Sequence, residues 1–206
     1  MRDCNQQIER WRKLRKDRLK KTWILIFSIV LLAQFNFAGE ITLGINFGYR
    51  QLKDPDLKAV YGHGFVFNPY LDYFPLSNYG LELAYEGGYK KDAPIGLFRE
   101  DSTLSISGFQ LCGVLRYPIW NLIPYLKCGI GYFSYKQEIE SEFTRLKVDH
   151  HKWTTILGGG IHFNMYKGLF FTAEVKYIPL KVQPFEIPVD LGGWRLLAGI
   201  GFRKSL

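Results

Sequence analysis

The chain is poor in the residues that staple or ligate. Among 206 residues there are three cysteines and two methionines. Cys4 lies in a basic leader, and Cys112 and Cys128 have neither a Cys-x-x-Cys spacing nor histidines placed to complete a zinc site. A disulfide framework and a structural metal are therefore excluded, and no cofactor is expected. No apolar run reaches the roughly 20 residues that a helix needs to cross a bilayer, and beyond residue 40 nothing carries the apolar stripe of a long helix. The folded part also lacks an excess of positive charge. Nine of the 27 Lys+Arg precede Trp23, against three acidic residues, so the leader carries six of the formal +8. A nucleic-acid-binding domain keeps its positive charge on the folded body, so no nucleic-acid partner is expected.

What is abundant is aromatic: 17% of the chain is Phe, Trp or Tyr, within a hydrophobic total of 47%. The first 39 residues read as an export signal, with a basic region to Lys21, an apolar run from Trp23 to Ala33 and small residues at Ala38-Gly39. Its length and the Asn36 before the expected cut leave open whether the segment is removed or kept. Residues 40–206 are expected to form one domain.

That domain is organised around residues 156–180. In the first arm Leu157, Gly159, Ile161 and Phe163 alternate with Gly158, Gly160, His162 and Asn164. In the second, Leu169, Phe171, Ala173, Val175 and Tyr177 alternate with Phe170, Thr172, Glu174 and Lys176. A two-residue period is the mark of a strand, and the intervening turn ends in Gly168. Similar runs cover residues 41–49, 64–74, 79–89, 102–117, 124–135 and 192–202. In the third, Leu81, Leu83, Tyr85 and Tyr89 share a face; in the fourth, Leu104 and Ile106 have one parity and Phe109, Leu111 and Leu115 the other, which predicts a bulge at Ser107-Gly108. Lys53-Asp54-Pro55-Asp56 reads as a turn.

The connections alternate between long charged segments (50–63, 90–101, 136–151 and 182–191) and short turns (75–78, 118–123 and 164–168). An up-and-down membrane barrel shows this asymmetry, whereas a sandwich has no cause for it. The sequence therefore predicts an all-β fold, an eight-stranded antiparallel up-and-down transmembrane β-barrel preceded by an N-terminal signal segment. On PYLKCGIGYF, GGGIHF and the closing LLAGIGF, the region 40–206 resembles the small outer-membrane β-barrel proteins of the OmpA/OmpX type. The resemblance implies residence in the outer membrane of a diderm bacterium with both barrel termini periplasmic. The partners it implies are outer-membrane lipid and lipopolysaccharide, and the barrel-insertion machinery reading the C-terminal strand. The family ends on an aromatic residue; here Leu206 holds the parity of Phe202.

With apolar rows facing lipid, the inward set holds Asp72, Glu82, Glu86, Arg116, Lys127, Glu174, Lys176 and Arg195, together with His162. Charges of both signs in a narrow lumen are affordable only when paired, so these eight are expected to form a network that plugs the barrel. The inward glycines Gly129, Gly131, Gly158 and Gly160 oppose this, since they leave room for water. A structural or surface-interaction role is expected, with no catalytic residues and the loops carrying any specificity. The alternatives are a lipid-modifying enzyme acting on lipid A acyl chains, a narrow pore for small solutes, and a soluble barrel with its apolar face inward. Some lipid A deacylases use a His and a Ser two residues apart, a spacing that His63, His150, His151 and His162 all lack. Asp149-His150-His151 reads as a solvated loop rather than a metal site. Tyr117, Trp120, Tyr132, Trp153, Tyr166 and Trp194 read as interfacial girdles.

Overall fold

The computed structural model describes residues 39–95, 100–140, 145–183 and 189–206. The expected export signal, residues 1–39, lies outside the described residues apart from Gly39. The strands are β1 (Glu40–Gln51), β2 (His63–Phe74), β3 (Tyr79–Ile95), β4 (Glu100–Arg116), β5 (Leu122–Glu140), β6 (Arg145–Asn164), β7 (Leu169–Ile178), the short pair β8 (Lys181–Val182) and β9 (Val189–Asp190), and β10 (Gly193–Ser205). Eight of them close antiparallel in the order β1-β10-β7-β6-β5-β4-β3-β2, with β8 and β9 as a separate hairpin. Closure satisfies the backbone groups that an open sheet edge would leave unpaired. β1 and β10 meet from Glu40↔Ser205 to Arg50↔Arg195, so both ends of the barrel chain lie at the short-turn rim.

The turns at that rim are built by local chemistry. In the β6–β7 turn the Leu169 N–H donates to the Tyr166 carbonyl at 3.0 Å, and the two central residues, Lys167 and Gly168, have φ of 48° and 86°. Positive φ at both positions is the geometry whose twist matches antiparallel strands. Glycine is required at 168 on a second count, because a Cβ there would meet the Arg203 carbonyl oxygen at 2.4 Å.

Outside, the strands present a continuous apolar surface. Leu43, Phe47, Leu71, Leu83, Phe109, Leu126, Leu157, Phe171 and Ile200 all point outward and are exposed. The soluble alternative required these rows to face inward, and they do not. The expected girdle residues Tyr117, Trp120, Tyr132, Trp153, Tyr166 and Trp194 are exposed as well.

Three readings of the sequence need correction. Segments 90–101 and 136–151 are largely strand, not loop: β3, β4, β5 and β6 run 17, 17, 19 and 20 residues, whereas β1, β2, β7 and β10 run 12, 12, 10 and 13. Above the apolar belt both faces of a strand tolerate polar residues, so the hydrophobic period fades while the hydrogen-bond ladder continues. Second, the Lys53–Asp56 signal starts a helix, α1 (Pro55–Tyr61). Asp54 caps it by accepting from the N–H groups of Asp56 at 3.0 Å and Leu57 at 3.2 Å, with Pro55 in the first turn and Gly62 at the C-cap.

Third, β4 has no change of phase. Its even-numbered residues face inward throughout, and Leu104 and Ile106 are buried. The apolar row crosses from outside to inside because the upper interior is a folded apolar core rather than a lumen. The irregularity is on β3, where Gly87 and Gly88 together oppose Ser107, between the pairs Glu86↔Gly108 and Tyr89↔Ile106; Gly88 has φ 88°. This bulge turns Tyr89 inward, against its expected outward placement, and it is 1% exposed.

Cys112 pairs with Gly129 and Gly113 with Cys128, so the two thiols lie on opposite faces of one sheet, and both are free. Denaturing the protein without reductant should make both thiols alkylatable; resistance of the pair until reduction would contradict the register. Ala173 is exposed on the outer face and Thr172 buried in the lumen. Ala173→Arg should destabilise the barrel in lipid by about 2–4 kcal/mol, read from urea unfolding in vesicles, and an unchanged midpoint would refute the outward placement.

Candidate functional site

The interior is stratified. At the short-turn rim, Glu40 of β1 accepts a charge-assisted hydrogen bond from Arg116 of β4 and pairs with Arg203 Nε of β10 at 2.8 Å. The Arg116 guanidinium carbon lies over the Phe74 ring, 3.6 Å from its centroid, and its Nε donates to the Ser77 carbonyl at 2.7 Å. Arg203 donates to Asn164 Oδ1 at 3.0 Å and lies 3.1 Å from His162 Nδ1. The His162 ring is held between Tyr125 and Phe170, with both centroids at 4.5 Å.

The middle layer is centred on Lys127, whose ammonium reaches both carboxylate oxygens of Glu82 at 2.8 Å and Glu174 Oε2 at 2.8 Å. The Tyr125 hydroxyl donates to the same Glu174 oxygen at 2.8 Å. Lys176 lies 3.5 Å from Glu174 Oε1 and donates to Asn68 Oδ1 at 2.9 Å and Gln110 Oε1 at 3.0 Å. Gln110 donates in turn to Glu86 Oε2 at 3.2 Å. Glu86 then receives Arg195 Nε at 3.2 Å, with Arg50 at 3.6 Å, while Arg50 and Arg195 donate to the carbonyls of Leu191 at 2.5 Å and Gly193 at 2.6 Å. A connected polar chain thus runs from Glu82 through Lys127, Glu174, Lys176 and Gln110 to Glu86.

Above it the interior becomes apolar. Val66, Tyr89, Leu104, Ile106, Phe133 and Ile156 pack with Leu52, Tyr61 of α1, and Leu180, Val182 and Leu191 around the β8–β9 hairpin. The Tyr61 hydroxyl lies 2.7 Å from Ser102 Oγ and accepts from Gln137 at 3.1 Å, fastening α1 to β4 and β5.

All eight expected lumen residues are inward and at most 4% exposed. Six of them, Glu82, Glu86, Lys127, Glu174, Lys176 and Arg195, belong to the connected chain, Arg116 belongs to the rim cluster with Glu40, and Asp72 joins neither. It sits directly across the ladder from Glu82 and Thr42, and its Oδ1 has no hydrogen-bond partner among the described residues. Sequence reading missed Glu40, Arg50 and Arg203, which lie just outside the assigned runs although each keeps the inward parity of its strand. It also missed Asn68, Gln110 and Tyr125, uncharged residues that link the charges.

None of the four glycines expected to leave room for water faces open space: an added Cβ would meet the Leu111 carbonyl oxygen at 2.1 Å from Gly129, the Phe133 ring at 2.6 Å from Gly131, Lys176 Cβ at 3.0 Å from Gly158 and the Ala173 carbonyl oxygen at 2.3 Å from Gly160. Gly44 lies opposite Tyr70, Gly108 opposite Phe133, Gly160 opposite Tyr125 and Gly201 opposite Phe170. A Cβ on any of these glycines would fall within 2.2–2.7 Å of the ring or hydroxyl of its partner. Each glycine is the seat of an aromatic side chain from the neighbouring strand, a cross-strand pairing that fills space.

No protein-family model matches the chain, and no curated protein sequence does. Solved structures do. The outer membrane protein OprG of Pseudomonas aeruginosa is 14% identical, with 84% of this chain and 99% of that one covered and a TM-score of 0.65. Ail, the attachment invasion locus protein of Yersinia pestis, solved with the heparin analogue sucrose octasulfate, is 17% identical over 81% and 99% at 0.56. The N-terminal β-barrel domain of Pseudomonas aeruginosa OprF is 16% identical over 83% and 100% at 0.53. This chain has the fold of the small outer-membrane β-barrels. The expected closed eight-stranded antiparallel barrel of the OmpA/OmpX type is consistent with these neighbours.

Removing the central cation of this barrel should be severe. Lys127→Met leaves Glu82 and Glu174 without their shared partner, a loss on the order of 3–5 kcal/mol for a buried pair. Adding Glu82→Gln and Glu174→Gln should recover most of it. Equal urea midpoints for wild type and the single variant, measured in lipid vesicles, would contradict the network.

Proposed function

We propose that this protein is a non-conducting outer-membrane barrel of a diderm bacterium whose role is structural or surface-interacting. The observation that carries the reading is that the interior is filled twice over, by the ion-paired chain from Glu82 to Glu86 and by the apolar core above it. An eight-stranded barrel has room for little more than its own side chains, and an apolar layer across the lumen offers no polar path for ions. The outward apolar belt supports contact with outer-membrane lipid and lipopolysaccharide. The short-turn rim is assigned to the periplasm, where β10 is available to the insertion machinery, and the long strands to the exterior.

The interacting surface is the four-stranded sheet that β3–β6 raise beyond the belt. Beyond Gly87 the ladder records no β2 partner for β3, and beyond Leu157 no β7 partner for β6, among the described residues. Lys90, Lys91 and Pro94 on one edge and Lys147, Asp149 and Lys152 on the other guard against unselective strand pairing. These edges and the charges beside them are where a partner would be selected.

One constellation bears on the lipid-modifying alternative. Ser134 sits across the ladder from His151, whose Nε2 is 3.9 Å from Asp149 Oδ1. Ser134 Oγ is enclosed and without a hydrogen-bond partner, however, and the His151 ring is stacked on Tyr132 at 5.4 Å. A nucleophile needs contact with its base and access to substrate, so the non-catalytic reading is preferred. Lipid A acyl profiles should be the same in cells carrying wild type and Ser134→Ala, and a difference would promote the enzyme.

Purified protein in planar bilayers should give no stable channel currents. Large, steady currents that persist in Glu174→Gln or Arg195→Gln would replace this reading with a small pore.

A further inference from the structure

Arg50 of β1 and Arg195 of β10 are direct cross-strand partners, and both are fully buried in the interior. Like charges set opposite each other on a sheet repel, and a guanidinium keeps its proton at neutral pH. Among the described residues one carboxylate serves the pair. Glu86 Oε1 lies 3.2 Å from Arg195 Nε and 3.6 Å from Arg50 Nη1, so both guanidiniums converge on a single oxygen. The other oxygen, Oε2, accepts from Gln110 at 3.2 Å.

The remaining acceptors are neutral. Arg50 Nη2 donates to the Leu191 carbonyl at 2.5 Å, and Arg195 Nη1 donates to the carbonyls of Gly193 at 2.6 Å and Ile178 at 3.4 Å. Carbonyls satisfy N–H groups without cancelling charge. Arg50 Nε and Nη1 and Arg195 Nη2 are enclosed and have no hydrogen-bond partner among the described residues. The Tyr89 hydroxyl is enclosed and unpartnered too, and the Tyr89 ring centroid is 5.2 Å from the Arg50 guanidinium carbon. One uncancelled positive charge and several free donors therefore meet at the upper end of the polar chain.

The neighbouring groups do not correct this imbalance. Lys176, which donates to Gln110, adds a further cation to the layer. Asp190, beside Leu191 in sequence, is 3.4 Å from the Lys53 ammonium and accepts from the Gly192 N–H. Above lies the apolar core, with Leu52, Leu104 and Ile106. The rim cluster of Arg116, Arg203 and Glu40 differs, because Arg203 and Glu40 are 12% and 15% exposed and water reaches them. A water molecule beside Arg50 would accept hydrogen bonds but leave a buried charge uncompensated, which is the costlier defect.

We propose that Arg50 and Arg195 hold a small monovalent anion of the chloride class as a built-in ligand of the folded barrel, with the Tyr89 hydroxyl as a further donor. A single missing charge calls for a monovalent ion. Enclosure under an apolar layer favours a weakly hydrated halide, whose removal from water costs less than that of a multiply charged anion. The ion would join β1 to β10 at the seam where the barrel closes. This ligand is independent of the role assigned to the outer surface.

The test is urea unfolding of the protein in lipid vesicles, with sodium chloride exchanged for sodium gluconate at constant ionic strength. Raising chloride from about 10 to about 100 mM should raise the folding equilibrium constant severalfold, toward the roughly tenfold limit of one-site linkage. Bromide should serve as well as chloride. Arg50→Met leaves one guanidinium for Glu86, so it should fold and lose the halide dependence, whereas Lys204→Met, an exposed position on β10, should keep it. Equal stability of wild type in chloride and gluconate would overturn the proposal, as would an undiminished dependence in Arg50→Met or its loss in Lys204→Met. Anomalous diffraction from wild-type crystals grown in bromide decides the matter without a variant. A peak between the Arg50 and Arg195 guanidiniums is expected; bromide found at exposed lysines alone, an adventitious ion only, would overturn the site.

Discussion

Every other feature of this barrel follows from the requirement that no backbone N–H or carbonyl be left unpaired in hydrocarbon. An open sheet cannot meet it, so the ladder returns from β2 through β1 to β10 and closes. Closure then divides the side chains into two populations that no longer share a solvent. The outer one is chosen for contact with lipid. The inner one must fill a narrow space and can include polar groups only if they satisfy one another. Lys127, reached by Glu82 and Glu174, and Glu86, reached by Arg195, are the results of that selection.

The interior also changes character along its axis. Within the belt the lumen is polar because its walls are apolar outward; above the belt, where β3–β6 leave the closed cylinder, the same strands turn apolar residues inward to meet α1 and the β8–β9 hairpin. The bulge at Gly87-Gly88 sits at this change and resets which β3 residues face in, from Glu86 below to Tyr89 above. The upper part is thus held as a small hydrophobic core of ordinary soluble type, raised on a membrane-type barrel.

This division explains what was legible in the sequence. Inside the belt the two-residue period is forced by two unlike environments, so strand number, in/out assignment and the placement of Asp72, Glu82, Glu174 and Arg195 could be read from parity alone. Above the belt both faces meet water or protein, and Lys90–Asp101 and Lys136–His151 looked like loops although most of their residues are strand. Leu104 and Ile106 were visible as apolar but suggested a bulge, because nothing local announces that the apolar side has exchanged. Glu40 was lost at a run start drawn one residue too late, and Arg50 and Arg203 at run ends drawn one residue too early. The cross-strand register, and with it the pairing of glycines with rings, is a long-range property that no single segment displays.

The glycine and aromatic pairs constrain how such a sequence can change. At Gly44 and Tyr70, or Gly201 and Phe170, the volume of one residue is set by its partner on the neighbouring strand. A larger residue at the glycine is tolerated only if the ring shrinks, and a smaller residue at the ring leaves a hole beside a residue that cannot fill it. Drift at these sites should therefore proceed by matched exchanges in both strands, so that related sequences would vary in couples there while the lipid-facing positions vary singly.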